Sequence, residues 1–437
     1  MSETAADSVA LAEPPKGALL AIFLIILVDF LGFGLIIPLL PFYIPGYEHR
    51  TFEVTLLFSI YSICQFIGAP ILGAMSDRYG RRPVLILSQL GSAAGYVLLG
   101  IATLQKDPQI RLLMVYVSRV VDGFTGGNVS TAQAYISDVT TPKNRAKGMG
   151  LIGAAFGIGF CVGPFLGGVL GGINVSWPAY AAALLAAVAA AQTYFKLPEP
   201  RIHKPTDSRL WLHPSTFTPV FKNPVVTQLL MISFISMAAF VMMETTAGIF
   251  LAKIFGWNDP AVASRRTGWF FGYAGLVIVI VQGGLIGRLS KRVGEWPLAI
   301  LGALLVTVGM AFFIGSAFMP GLLMLGIAGA VNATGRSLQG PTLASLLSKF
   351  SNPKEQGVVF GLSNGLSSLA RVAGPMLAGA MYPFWRNTGQ FWTAGAILLI
   401  AAAWTIAVKA QARSQGAGFE PVTREEAVAR AATTEIE

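Results

Sequence analysis

Long apolar runs separated by short polar breaks dominate the sequence. Twelve of these runs approach or exceed the roughly 20 residues that a helix needs to cross a hydrocarbon core about 30 Å thick. The runs are continuous and show no apolar–polar alternation, so they favour helices over membrane-spanning strands. The predicted spans, numbered 1 to 12 in chain order, are 18–42, 52–76, 84–104, 112–137, 146–170, 177–195, 225–252, 267–289, 298–318, 321–347, 358–382 and 391–408.

Composition supports a membrane environment. Hydrophobic residues make up 54% of the chain and charged residues only 12%, whereas an ordinary soluble protein carries about 25% charged residues. We therefore predict an all-α, multi-pass protein in the lipid bilayer of the inner or plasma membrane.

The basic residues predict the orientation. With both termini in the cytoplasm, 21 of the 31 lysines and arginines fall on the cytoplasmic side, 7 fall outside and 3 lie within spans, in accord with the positive-inside rule. This scatter over inner loops explains the formal net charge of +10 and disfavours nucleic-acid binding, which needs a clustered basic surface. Residues 1–17 lack the features of a cleaved signal peptide, and we predict cytoplasmic tails at 1–17 and 410–437.

The second six spans repeat the first six. The charged cluster at 73–83 recurs at 287–297 with an offset of 214, and the glycine-proline pair at 163–164 recurs at 374–375 with an offset of 211. Internal repeats of this size are typical of membrane transporters. We predict two related bundles at 18–196 and 224–409, joined by a cytoplasmic linker at 197–223.

Four motifs carry a family resemblance, each in the expected span and order. They are the cluster Gly73, Asp77, Arg78, Gly80 and Arg81 between spans 2 and 3, residues 29–41 in span 1, Arg119 with Asp122 in span 4, and Gly159, Gly163, Pro164, Gly167 and Gly168 in span 5. With these motifs the sequence resembles the major facilitator superfamily, specifically its twelve-helix drug:proton antiporter branch and the tetracycline efflux proteins. Asp122 departs from the family pattern, in which glutamine is more usual. The resemblance implies two pseudo-symmetric six-helix bundles that alternate access to a central site, with a proton gradient as driving force and no cofactor.

The charged cluster between spans 2 and 3 is predicted to be a cytoplasmic gate. The resemblance implies that Asp77 caps the start of span 11 in the outward-facing state and that Arg81 pairs with Asp138. The alternative is an ordinary basic inner loop with a solvated acid. At the equivalent positions the second half carries inverted charges, at Lys291, Glu295 and Lys349. A cation is disfavoured at the positive end of a helix, so we expect an asymmetric gate in which Asp77 is the latch.

Six ionisable residues lie within predicted spans, where a charge costs a few kcal/mol and is usually paired or functional. They are Asp29, Arg119, Asp122, Glu244, Arg336 and Arg371. Arg119 and Asp122 are one helical turn apart and can pair locally, although Asp29 is an alternative partner for Arg119. The four proton-coupling candidates are Asp29, Arg119, Asp122 and Glu244. For Asp29 and Asp122 the alternative is a structural role in helix contact.

Polar residues of several spans are candidates for a substrate cavity. The predicted binding residues are Tyr61, Gln65, Asn128, Gln133, Glu244, Asn332, Arg336, Gln339 and Arg371. Some polar groups in spans simply bond between helices, and Glu244 has the alternative of an ion pair with Arg336 or Arg371. Arg371 interrupts the span 11 copy of the glycine-rich motif and is equally suited to bind an anionic substrate.

The glycines of span 5 predict close helix packing. Gly159, Gly163 and Gly167 are four residues apart and share one face, beside Gly168. We expect them at the interface between the two halves, where close packing limits leakage. Ordinary packing of small residues is the alternative.

The sequence favours a secondary transporter over an enzyme. It carries no phosphate-binding loop, catalytic triad or metal-ligand cluster, so neither catalysis nor ATP-driven transport is supported. We predict a monomer that works with protons and a small-molecule substrate, exporting a hydrophobic drug-like or metabolite molecule. The alternatives are a proton-coupled symporter that imports an organic anion or other small solute, and a membrane sensor that does not transport.

Overall fold

The computed structural model describes residues 18–140, 142–199, 218–352 and 356–414. Within these ranges the chain is helical and contains no β-strand. The helices are α1 (Ala18–Ile36), α2 (Thr51–Tyr79), α3 (Arg81–Ala102), α4 (Pro108–Thr125), α5 (Asn128–Val139), α6 (Pro142–Gly171), α7 (Trp177–Lys196), α8 (Thr218–Lys222), α9 (Pro224–Phe255), α10 (Pro260–Ile280), α11 (Ile286–Val293), α12 (Glu295–Phe318), α13 (Leu322–Phe350), α14 (Gln356–Met381) and α15 (Gly389–Ser414).

The predicted all-α membrane fold is confirmed. Nine helical stretches in the described residues are long and apolar enough to cross a membrane. Three more, namely α4 with α5, α13 and α14, have the length of a span but a more polar composition. These three carry most of the predicted binding residues, and polar side chains that face the protein interior lower the hydropathy of a span.

Several spans begin with the same local signal. Asp107 precedes Pro108 at the start of α4, and its carboxylate accepts hydrogen bonds from the amides of Gln109 and Ile110. Asn223 caps α9 in the same way, ahead of a proline. A capping acid or amide satisfies the free N–H groups of the first turn, and proline is well tolerated at the first helical position.

Three spans depart from a regular α-helix. The predicted fourth span is two helices, because the chain turns at Gly126 and Gly127 between α4 and α5, where two successive glycines weaken the helix. The first span continues beyond α1 as a 3₁₀ helix, Ile37–Tyr43, that contains two prolines. A π-helical turn, Val281–Leu285, joins α10 to α11.

The three largest groups of buried apolar side chains are one shared core and two separate ones. The largest group joins α1–α7, the N half, to α9–α15, the C half, and includes Phe42 of one and Phe250 of the other. A second group surrounds Tyr135 in the N half, and a third surrounds Trp296 in the C half. The two separate cores lie where α7 ends and α9 begins. We call this side the linker face and the opposite side the far face.

The halves touch toward the far face through two helix crossings. In the first, α6 meets α10 with Gly168 against Gly268, so that a Cβ added at Gly168 would lie 2.6 Å from the Cα of Gly268. In the second, the Ser59 hydroxyl of α2 donates a hydrogen bond to the Val372 carbonyl of α14 at 2.9 Å. Glycine and serine allow these backbones to approach closely.

Toward the linker face the same helices diverge. The glycines of α6, of α14, and of the π-helical turn and α11 that continue α10 have open space within 4 Å of an added Cβ, at Gly153, Gly157, Gly283, Gly284, Gly287, Gly357, Gly361 and Gly365. The halves therefore enclose a cleft that is closed at the far face and open at the linker face.

Candidate functional site

A cavity of about 440 Å³ lies in the cleft between the halves. This volume falls in the range of pockets that hold drug-sized ligands. Its polar and charged lining residues are Asp29, Tyr61, Gln65, Ser92, Tyr96, Asp122, Asn128, Ser130, Gln133, Asn364, Ser367, Ser368 and Arg371. Phenylalanines from α1 and α6 supply part of the apolar wall, at Phe30, Phe33 and Phe156.

Asp29 lies partly buried on the cavity wall contributed by α1. The Asn128 side-chain amide donates a hydrogen bond to its carboxylate. Asn128 is the first residue of α5, so the break at Gly126 and Gly127 places it there. A neutral amide, and no cation, therefore holds Asp29 within the described residues.

The helix break is itself held by a predicted binding residue. Gln65 donates from its side-chain amide to the Gly126 carbonyl at 3.0 Å and to the Tyr61 hydroxyl at 3.3 Å. A carbonyl released by the break is thus satisfied by α2. The structure brings the four N-half residues Tyr61, Gln65, Asn128 and Gln133 together on one cavity wall.

Arg119 and Asp122 form a local ion pair. Their closest nitrogen and oxygen are 3.1 Å apart, and the side chains are only 1% and 2% exposed. Ser92 and Tyr96 also lie near the Asp122 carboxylate, and the Arg119 guanidinium lies 5.6 Å from the centre of the Tyr96 ring. Of the two partners considered for Arg119, the structure therefore pairs it with Asp122 and not with Asp29.

The three ionisable residues within the predicted spans of the C half have different surroundings. Arg371 lines the cavity. Arg336 lies 3.1 Å from the Met237 sulfur and 4.9 Å from the centre of the Phe240 ring. Glu244 is 8% exposed and interacts electrostatically with both arginines. None of the ion pairs found among the described residues joins Glu244 to either arginine, so the ion pair considered as the alternative role of Glu244 is not formed in this conformation.

Asn332 and Gln339 lie away from the cavity, contrary to the expected position. Asn332 packs against Gly309 of α12. Gln339 donates from its amide to the Ser236 hydroxyl of α9 at 3.0 Å and packs against Gly302 of α12. Both side chains fill contacts within the C half, because the small glycines of α12 bring that helix close to this face of α13.

Sequence reasoning overlooked one polar face of α14. Asn364, Ser367 and Ser368 line the cavity together with Arg371. Their spacing of three, four and seven residues places them on one side of the helix. That periodicity, read from Arg371, is the signal that could have identified them.

The predicted gate cluster is assembled around Arg81. Its guanidinium contacts Asp77, the Asp138 carboxylate at 2.9 Å and the Ser76 hydroxyl at 2.6 Å. The Arg81–Asp138 contact implied by the resemblance is therefore present. The Asp77 side chain is 51% exposed and lies beside the open cleft, so its predicted contact with the start of α14 remains a prediction for the other conformation.

The remaining residues of the cluster shape the turn between α2 and α3. Gly80 has a positive φ of 101°, a conformation that favours glycine. Arg78 stacks on the neighbouring Tyr79 ring at 5.3 Å. An added Cβ at Gly73 would meet open space, so close approach of another helix does not require this glycine here.

Glu199, just beyond α7, caps α3 across the chain. Its two carboxylate oxygens accept hydrogen bonds from the Arg81 amide at 2.6 Å and the Arg82 amide at 3.0 Å. Gly80, the residue before α3, has no side chain to do this. In the C half the equivalent helix α12 begins with Glu295, whose carboxylate bonds its own backbone amide and contacts Lys349 at 2.5 Å.

The glycine motif of α6 packs mainly within the N half. Gly159, Gly163 and Gly167 lie against α1, where Gly163 meets Gly34. Gly168 meets the C half, with the Pro164 carbonyl also close to Gly268. The expected packing between the halves is thus found at the far end of the motif, while its three evenly spaced glycines join α6 to α1. Elsewhere in the described ranges, no group of three or more His, Cys, Asp or Glu side chains is placed to hold a metal ion.

Known proteins are similar to this chain in sequence and architecture over most of its length. The family model of the Major Facilitator Superfamily matches residues 22–375. Tetracycline resistance protein class B of Escherichia coli is 30% identical over 411 residues, which cover 90% of this chain and 96% of the relative. Multidrug resistance protein 2 of Bacillus subtilis is 29% identical over 370 residues, which cover 83% and 88% of the two chains.

Solved structures agree with these relatives. The human organic anion transporter MFSD10 (TETRAN) is 25% identical with a TM-score of 0.65, covering 90% of this chain and 100% of that one. A bacterial homologue of the human lysosomal transporter Spinster, inward-facing and occupied, has the same fold at 15% identity and a TM-score of 0.68, covering 93% and 98% of the two chains. The chain is therefore a membrane transporter, and it belongs to the Major Facilitator Superfamily.

Proposed function

We propose that the protein is a proton-coupled antiporter that exports an amphipathic, drug-like or metabolite molecule by alternating access. The observation that carries this proposal is a carboxylate, Asp29, on the wall of a drug-sized cavity between two halves that meet on one face only. Tetracycline and multidrug resistance proteins among the relatives support the same reading.

The geometry supports a rocking movement about the cavity. The far face is closed by the shared core and by a hydrogen bond from the Tyr47 hydroxyl to the Trp257 carbonyl at 3.2 Å. Closing the linker face and opening the far face would expose the cavity to the other side. From the distribution of basic residues we assign the linker face to the cytoplasm, so the structure corresponds to the inward-facing state.

Asp29 is our candidate for the proton-carrying acid. Because an amide side chain holds it, its protonation breaks no ion pair within the described residues. Asp122 is bound to Arg119 and almost completely buried, which suits a fixed partner better than an exchanging one. We assign Asp77, Arg81 and Asp138 to the cytoplasmic gate, with a proton gradient as the energy source and a monomer as the working unit.

Proteoliposomes with a trapped pH dye test the proposal. Under an imposed pH gradient, addition of tetracycline should drive proton movement through the wild type. Asp29→Asn should abolish this movement, while Glu48→Gln, at an acid of the far-face loop, should leave it unchanged. Transport of tetracycline without proton movement contradicts the coupling, and binding without transport favours a sensor.

Import of an organic anion is the second candidate function. Arg371 places a cation on the cavity wall, and the human relative of known structure is described as an organic anion transporter. The same vesicles distinguish the two functions, because symport moves protons and substrate in one direction whereas antiport moves them in opposite directions.

A further inference from the structure

The intramembrane charges differ in sign between the halves. The N half contributes two acids and one arginine, and the C half contributes one acid and two arginines. They are Asp29, Asp122 and Arg119 in the N half and Glu244, Arg336 and Arg371 in the C half. Of these six residues, Asp29 and Asp122 of the N half and Arg371 of the C half line the cavity, so acids lie on its N-half wall and a cation lies on its C-half wall.

Of the three arginines, Arg371 is the one that lines the cavity, and within the described residues the nearby acid Glu244 forms no ion pair with it. Arg119 is bound to Asp122, and Arg336 is directed to the Met237 sulfur and the Phe240 ring. In the described residues Arg371 is partly buried, lines the cavity and lies in no ion pair with an acid. An intramembrane cation of this kind usually marks a ligand site.

Further polar groups accompany Arg371 on the same face of α14. Asn364, Ser367 and Ser368 line the cavity one and two turns away. The Ser368 hydroxyl is used within the helix, donating to the Asn364 carbonyl at 3.1 Å. The guanidinium, the Ser367 hydroxyl and the Asn364 amide are donors available to a ligand, and an arginine fork matches a planar carboxylate with two parallel hydrogen bonds.

We propose that Arg371, Ser367 and Asn364 form a subsite for the anionic group of a zwitterionic substrate, whose cationic end faces Asp29 on the opposite wall. This inference rests on the proposed function and adds the substrate class to it. A carboxylate or enolate suits the subsite, and the phenylalanines of α1 and α6 contact the apolar body between the two charges. A substrate of this kind is held by both halves at once.

Three closely related probes separate the charges of the ligand. Norfloxacin is a zwitterion, its methyl ester carries only the cation, and its N-acetyl derivative carries only the carboxylate. Equilibrium binding of each is measured on the purified full chain in detergent. Arg371→Gln should weaken binding of norfloxacin and of the N-acetyl derivative by about 10- to 100-fold, the range for a lost charge-assisted hydrogen bond, and should leave the ester unchanged.

Control variants separate recognition from structural damage. Arg336→Gln removes a C-half arginine that does not line the cavity, and it should not discriminate among the probes. Ser367→Ala should weaken binding of the same two probes, by about 3- to 10-fold. If Arg371→Gln fails to fold, this variant provides the test. Arg371→Lys should retain part of the affinity for the anionic probes, since it keeps the charge but loses the fork.

The outcomes distinguish the subsite from the transport function. The subsite is overturned if Arg371→Gln weakens binding of all three probes equally, or if it weakens binding of none of them. If Arg371→Gln does not fold, the same two outcomes for Ser367→Ala overturn the subsite. If the wild type binds none of the probes yet moves protons when tetracycline is added, the subsite alone is overturned. If it does neither, the proposed efflux function is overturned as well.

Discussion

A methyl group at Gly268 should shift the protein away from the conformation described above. The Cβ of Gly268→Ala would lie 2.6 Å from the Pro164 carbonyl oxygen and closer still to the Cα of Gly168. The first of these distances is about 0.8 Å short of the 3.4 Å at which ordinary van der Waals contact begins. Both neighbours are backbone atoms of α6, so relief requires the helices themselves to separate.

The size of the shift follows from where the clash occurs. Overpacking a tight contact costs about 1–3 kcal/mol. The crossing of α6 and α10 joins the halves at the far face, and opening that face removes the contact, so the cost applies mainly to the state with the far face closed. A difference of this size changes the ratio of the two states by about 5- to 150-fold. The far-open state should become more populated.

Distances between spin labels measure this change. Labels at Lys106→Cys in the N half and Met319→Cys in the C half report separation at the far face, in a background with the two native cysteines replaced. Gly268→Ala should add a longer distance. Gly157→Ala, on α6 where an added Cβ meets open space, is the matched control. Identical distance distributions in the two variants would refute the reasoning.

Three further predictions concern charged residues. Asp77→Asn should lower substrate-driven proton transport much more than Lys291→Gln, and equal losses would contradict an asymmetric gate. Glu199→Gln should lower the melting temperature in detergent, because weakening the exposed cap of α3 costs about 1 kcal/mol or less; an unchanged melting temperature, with Lys291→Gln as the control, contradicts this. Arg119→Gln should reduce the yield of folded protein on size-exclusion chromatography, because an unpaired buried acid costs about 3–5 kcal/mol. Adding Asp122→Asn should restore that yield, and failure of the rescue would contradict the pairing.

The sequence predicted the spans well because the bilayer imposes one simple requirement on them. A segment in the water-free core of the bilayer must satisfy its backbone hydrogen-bonding groups internally, so a long apolar run becomes a helix. Local signals in the sequence also mark helix starts, including the asparagine and proline that start α9. The break at Gly126 and Gly127 was visible in the sequence as a glycine pair but was not recognised as the end of a helix.

The direction in which polar side chains point was harder to predict. Asn332 and Gln339 are as polar as Asn128, but they face α12 and α9. Which face of a helix meets the cavity depends on the packing of its neighbours, which lie far away in the sequence. The cap on α3 was hard to predict for the same reason, because Glu199 lies 118 residues beyond the amide of Arg81 that it binds.

The two ways of capping α3 and α12 affect how the gene can be divided. The C half starts α12 with its own Glu295, inside the bundle, whereas the N half depends on Glu199, which follows its last helix. A two-plasmid version of the protein should therefore be cut between Glu199 and Thr218. A cut directly after Lys196 would deliver an N-terminal fragment that contains every predicted span of its bundle but lacks the carboxylate that completes its gate turn.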